Sequence, residues 1–142
     1  MLTTTQTQPV GITATESNAA GVLPLVGRLG IAAIFLLSGF AKLTAPAGTI
    51  GYIASAGLPL PEAGLAIAIL VELVGGALLV IGYRTRLVAL ALAAFTIAAA
   101  VFFHSALGDQ NQFIHFFKNL AIAGGLLQVV AYGPGRISID KR

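Results

Sequence analysis

The chain has 142 residues, of which 57% are hydrophobic and 9% charged, with a formal net charge of +3. So few charges could not clothe a soluble domain of this size, and the eight basic residues are too scattered to form a phosphate-binding face, so nucleic acid is not expected as a partner. With no cysteine, the chain can form no disulfide or thiolate metal site and can run no thiol exchange.

Residues 1–21 are rich in Thr, Gln, Gly and Ala, carry one charge at Glu16, and show no apolar periodicity. They lack the basic start followed by a short apolar core that marks a secretory leader. They therefore read as a flexible tail, and the first apolar stretch as a retained anchor. Residues 22–142 form one domain. Within it, residues 22–42, 63–83, 87–107 and 113–133 each provide the ~20 mostly apolar residues that a helix needs to cross ~30 Å of hydrocarbon. The predicted fold class is all-α, an integral membrane four-helix transmembrane bundle.

In the first span Arg28, Ile31, Phe35, Ser38 and Lys42 recur every three or four residues, so the polar residues share one stripe that should face protein. An ionisable group turned to lipid at mid-bilayer costs about 2.5 to 3.5 kcal/mol. Arg28 and Lys42 lie near opposite ends, where snorkelling to the headgroups is an equal alternative. The connection of residues 44–62 is the longest loop, punctuated by Pro46, Gly48, Gly51, Gly57, Pro59 and Pro61. Its apolar middle, residues 49–56, is too short to span and predicts an interfacial helical turn or a re-entrant flap over the mouth of the bundle. Pro61 suits the first turn of span two, and Glu62 favours the positive end of that helix.

Glu72 lies at the middle of span two, beyond the reach of snorkelling, and needs a partner or a proton. By ~1.5 Å per residue it sits ~15 Å deep and Lys118 ~8 Å deep, so Lys118 is the expected partner and Lys42 the weaker one. A pair that only fixes helix register, or a protonated Glu72 bonded to backbone, remains open beside a role in ligand or proton handling. Span four carries His115, Lys118 and Asn119 within little more than one turn, and His104 lies near the outer end of span three. The candidate ligand-binding set is therefore Ser38, Lys42, Glu72, His104, Lys118 and Asn119, between the outer helix halves beneath residues 49–56. No catalytic residue is identified. Glu72 lies much deeper than either histidine and no other ligand-rich spacing occurs, so neither a metal site nor an intrinsic cofactor is expected. Gly75, Gly76, Gly124, Gly125 and the Ala89, Ala93, Ala94 set point to close helix packing.

Six of the eight basic residues, Arg28, Arg84, Arg86, Arg136, Lys141 and Arg142, lie at the start of span one, in the turn between spans two and three, or after span four. Those places share one side. The positive-inside rule makes it cytoplasmic, with both termini inside and the polar loop of residues 108–112 outside.

Gly27-Arg28-Leu29, Phe35-Leu36-Leu37-Ser38-Gly39-Phe40-Ala41-Lys42-Leu43, Glu72-Leu73-Val74-Gly75-Gly76 and Phe117-Lys118-Asn119-Leu120-Ala121-Ile122-Ala123-Gly124-Gly125 together resemble the DoxX family, over about residues 24–140. The combination is more specific than any one element. The resemblance implies a small bacterial inner-membrane protein of four helices. Some relatives are subunits of a thiosulfate:quinone oxidoreductase, others belong to oxidative-stress complexes at the membrane, and many have no assigned activity, so membership does not make the chain an enzyme. Two functions follow. One is a quinone-linked or redox-associated membrane component, with quinone as the implied ligand and a membrane or peripheral redox protein as partner. The other is a non-catalytic scaffold or partner-binding subunit. Besides the lipid bilayer, a second copy of the chain is an allowed partner.

Overall fold

The computed structural model describes residues 14–140. Five helices follow one another: α1 (Ala14–Thr44), α2 (Pro46–Ser55), α3 (Pro61–Ile81), α4 (Thr85–Phe103) and α5 (Gln110–Tyr132). Four stretches, Gly21–Thr44 of α1 and the whole of α3, α4 and α5, are long and apolar enough to cross a membrane. The architecture is an all-α transmembrane bundle with one short extra helix. The helix α1 begins inside the segment expected as tail, while residues 1–13 of that tail lie outside the described residues.

The helix ends follow local chemistry. Pro61 opens α3 as expected, since its missing N–H would have no partner there in any case. Gly82, at φ 70°, closes α3 two residues before the expected end. A side chain at Gly82 would be strained, and its Cβ would lie 2.6 Å from that of Ser138 and 3.1 Å from the Arg28 guanidinium. The helix α5 starts at Gln110, ahead of its apolar run, because Asp109 Oδ1 accepts the Gln112 N–H at 2.9 Å and caps a polar first turn. Residues 49–56 fall largely in α2, which realises the expected short helix beside the bundle.

Neighbouring helices run in the order α1, α3, α4, α5. The extensive contacts are α1 on α3 and α4 on α5, α3 joins α4, and α5 meets α1 only thinly. Small residues set the closest approaches. A Cβ on Gly39 would lie 2.8 Å from the Leu73 side chain, one on Gly76 2.9 Å from Leu36, and one on Gly75 2.9 Å from Leu92. In lipid, where apolar side chains gain little by leaving the solvent, such van der Waals contact holds helices together. Ala32, Phe35, Leu79, Leu92, Ala93 and Leu126 make the centre of the core. Leu37, Leu70, Leu87 and Phe102 point outward, as side chains facing hydrocarbon should.

Candidate functional site: a polar cleft under the short helix

Close packing of α1 on α3 places Ser38 and Lys42, one turn apart, over Glu72. The Lys42 ammonium donates to both Glu72 carboxylate oxygens at 2.9 Å and to Ser38 Oγ at 2.6 Å. Ser38 Oγ donates in turn to Glu72 Oε1 at 3.2 Å. Glu72 is 5% exposed, and this cage gives its charge the partners that its burial demands.

The expected pairing of Glu72 with Lys118 is thereby corrected. Lys118 bonds His115 Nδ1 on its own helix at 2.9 Å, a contact that needs that nitrogen unprotonated. The reason is lateral rather than vertical. Depth along the helix favoured Lys118, but α5 packs on α4 and not on α3, so Lys118 stands across a cleft from the carboxylate. Gly39 meanwhile brings α1 close enough to α3 for the Lys42 side chain to reach down.

Across the cleft, His104 closes α4 and shares its Nδ1 with Gln112 Oε1 at 2.8 Å. Its ring stacks on His115 at a centroid distance of 5.0 Å. The Asn119 amide makes no hydrogen bond among the described residues. All six sequence-predicted residues, Ser38, Lys42, Glu72, His104, Lys118 and Asn119, line one cleft of about 710 Å³, together with His115. Phe35, Ala68, Phe95 and Ile122 supply apolar wall. No group of three or more His, Cys, Asp or Glu side chains suited to a metal occurs among the described residues.

The helix α2 covers the cleft, and Tyr52 ties it to α4. The Tyr52 hydroxyl donates to the Phe103 carbonyl at 2.9 Å and its ring stacks on Phe103 at 5.3 Å. Sequence reasoning passed over Tyr52, although it is the one side chain of residues 49–56 with both a broad apolar ring and a hydrogen-bonding tip.

At the opposite end of the bundle, the end holding the α3–α4 turn, Arg28 does not snorkel. It is 1% exposed, donates from Nη1 to the Pro134 carbonyl, and from Nη2 to Val80 and Ile137 carbonyls at 3.1 and 3.0 Å. The segment after α5 thus folds back under the bundle. Its Ile139 and Asp140 N–H groups donate to the Ile81 and Gly82 carbonyls at 3.1 and 2.8 Å, where α3 runs out of internal partners. The Asp140 carboxylate accepts the Arg84 and Thr85 N–H groups, both at 2.7 Å, and so caps α4 from far along the chain. Hydrogen bonding from Thr85, supported by the Arg84 N–H and the charge of Arg28, holds the Asp140 pKa below its ordinary value. No local sequence pattern signals this cap, since Asp140 lies more than fifty residues from the helix it caps.

The DoxX family model matches residues 23–105, which takes in the membrane-spanning part of α1 together with α2, α3 and α4. The chain is 37% identical to inner membrane protein YphA of Escherichia coli (strain K12) over 129 residues, 87% of this chain and 92% of that protein. It is 38% identical to inner membrane protein YqjF of the same organism over 117 residues, 82% of this chain and 88% of that protein. No solved structure matches it. A family model covering more than half the chain, and relatives aligned over nearly their whole length, show that the chain belongs to the DoxX family.

Proposed function

We propose that this protein sits in the bacterial inner membrane with both termini cytoplasmic, and that its cleft binds a small amphipathic ligand of the quinone type. Two relatives named as inner membrane proteins and four apolar helices support the location, and the basic residues gathered at the turn end support the orientation. The observation that carries the ligand reading is the cleft itself. Its volume of about 710 Å³ lies within the usual range for small-molecule sites, and several polar or ionisable side chains, His115 among them, meet apolar walls there. Glu72 is already held by Lys42 and Ser38, so the Lys118 ammonium and the Asn119 amide are the donors suited to a quinone carbonyl. The apolar walls suit a ring and chain. Without cysteine, electron transfer would fall to the quinone or to a membrane or peripheral redox protein as partner.

The test is to titrate ubiquinone and menaquinone analogues into the purified parent, Lys118→Ala and Glu72→Gln proteins. Saturable binding by the parent that weakens at least tenfold in Lys118→Ala is expected, about 1.4 kcal/mol. The self-contained Lys42–Glu72–Ser38 cage favours a second reading, a non-catalytic scaffold in which the buried charges serve assembly. No binding by the parent, or equal binding by all three proteins, selects it. Orientation is read separately from reporter fusions after Arg142 and within residues 108–112: a periplasm-active reporter should be silent at the first and work at the second.

A further inference from the structure

We propose that the turn end of the bundle holds a binding site for an anionic phospholipid, in a second cavity between α1 and α5. The cavity measures about 430 Å³ and is separate from the cleft under α2. The two lie on either side of the point where α1 and α5 meet, Ile31 against Gly125, where a Cβ on the glycine would sit 3.2 Å from the isoleucine. Beyond that contact the helices diverge. Gly27 on α1 and Gln128 and Tyr132 on α5 line the cavity and are exposed, so it opens sideways, toward the surface that hydrocarbon would cover.

Ile31 and Gly125 are apolar and lie deepest, toward the middle of the spans. About a turn nearer the end of the bundle Arg28 and Gln128 bring polar groups beside Gly27 and Val129, and Tyr132 lies nearest the end. The Gln128 amide and the Tyr132 hydroxyl make no hydrogen bond among the described residues. The Arg28 charge is met by three carbonyl oxygens and by no carboxylate within bonding distance, and its Nε is buried with no partner at all. The Arg86 guanidinium lies against Gly133, which lines the same cavity. Its Nε and Nη2 are 3.5 Å from where a Cβ on that glycine would be, and it has no hydrogen bond or ion pair among the described residues.

Two guanidinium groups, a free amide and a free hydroxyl beside an apolar groove fit a phosphate-bearing headgroup whose chains run up the α1–α5 seam. A basic pocket between membrane helices is the physical form that anionic-lipid recognition takes. The Asp140 carboxylate is engaged by the Arg84 and Thr85 N–H groups at the α4 N-terminus and acts on Arg28 by charge without bonding it. This site is independent of the ligand in the cleft.

The full chain, purified in a neutral detergent, is tested by native mass spectrometry and thermal unfolding with three additives: phosphatidylglycerol, phosphatidylcholine of the same chains, and inorganic phosphate. Retention of one phosphatidylglycerol and a saturable rise in the unfolding midpoint with that lipid alone are expected. Gly27→Leu fills the open space beside α1, where a Cβ would meet nothing within 4 Å, and should abolish retention. Arg86→Gln, an exposed change that leaves the fold intact, should weaken binding about fivefold. Equal retention of phosphatidylcholine, the same midpoint rise with phosphate alone, or phosphatidylglycerol binding unchanged in both variants would each overturn the proposal.

Discussion

The membrane-spanning part of α1 carries two cations, a buried Arg28 toward the turn end of the bundle and a half-buried Lys42 at the other, and the bundle treats the two differently. Lys42 meets a carboxylate on the neighbouring helix, while Arg28 meets carbonyl oxygens from α3 and from the segment after α5. The difference follows the side chains. A lysine ammonium is a compact charge that one carboxylate and one hydroxyl can surround. A guanidinium presents a planar fork of donors able to hold several carbonyls that point in different directions. The lysine end is therefore a joint between two helices with an open cleft beside it. The arginine end is a knot in which Arg28 of α1 gathers the end of α3 and the returning chain.

If that contrast is right, the arginine end should be the more sensitive. Replacing Arg28 with Leu leaves the Pro134, Val80 and Ile137 carbonyls without their donor inside the protein. The expected loss is about 3 kcal/mol or more, read as a fall in the unfolding midpoint and in yield of the purified protein. Arg28→Lys keeps the charge but cannot span three carbonyls, and should recover only part of the loss. Full recovery by lysine would mean that charge alone matters there and would erase the comparison.

The lysine end yields a double-mutant cycle. Glu72→Ala and Lys42→Ala should each destabilise, since each strands a buried or half-buried charge, and the double variant should lose about 1 to 3 kcal/mol less than their sum. Lys118→Ala combined with Glu72→Ala should be close to additive, because these side chains lie on opposite walls of the cleft. Strong coupling of Glu72 with Lys118 and none with Lys42 would restore the pairing that depth alone suggests.

What the sequence disclosed and what it hid divides along the same lines. Span positions were legible because apolar length is a one-dimensional quantity, and they erred where polar chemistry moved a terminus, as Asp109 does for α5. Membership of the cleft was legible for Ser38, Lys42, Glu72, His104, Lys118 and Asn119, because polar groups in a bilayer must turn toward protein. The partner of Glu72 was not, since pairing depends on which helices are neighbours, and depth carries no such information. Arg28 and Asp140 were hidden for a related reason. Their partners come from chain segments distant in sequence, and neither hydropathy nor local capping patterns register a contact of that range.

The smallest expected effect belongs to Asp140, and it separates the two ends by pH. Its carboxylate caps α4 only while ionised, and its pKa in the folded chain is lowered, first by the Thr85 hydrogen bonding and then by the Arg84 N–H and the charge of Arg28. A carboxylate whose folded pKa lies below its unfolded value stabilises above the unfolded value, about 3.9, and loses that contribution as pH falls through the folded one. Asp140→Asn should therefore lower the unfolding midpoint at neutral pH by the worth of a surface-exposed cap, about 1 kcal/mol. The gap between parent and variant should narrow as pH is taken below about 4, because protonation then removes from the parent what the substitution removes from the variant. The same scan on Arg28→Leu should show a deficit that persists at acid pH, since carbonyl oxygens do not titrate. A deficit for Asp140→Asn that stays constant down to strongly acid pH would show that the cap acts through its shape and neutral hydrogen bonds rather than its charge.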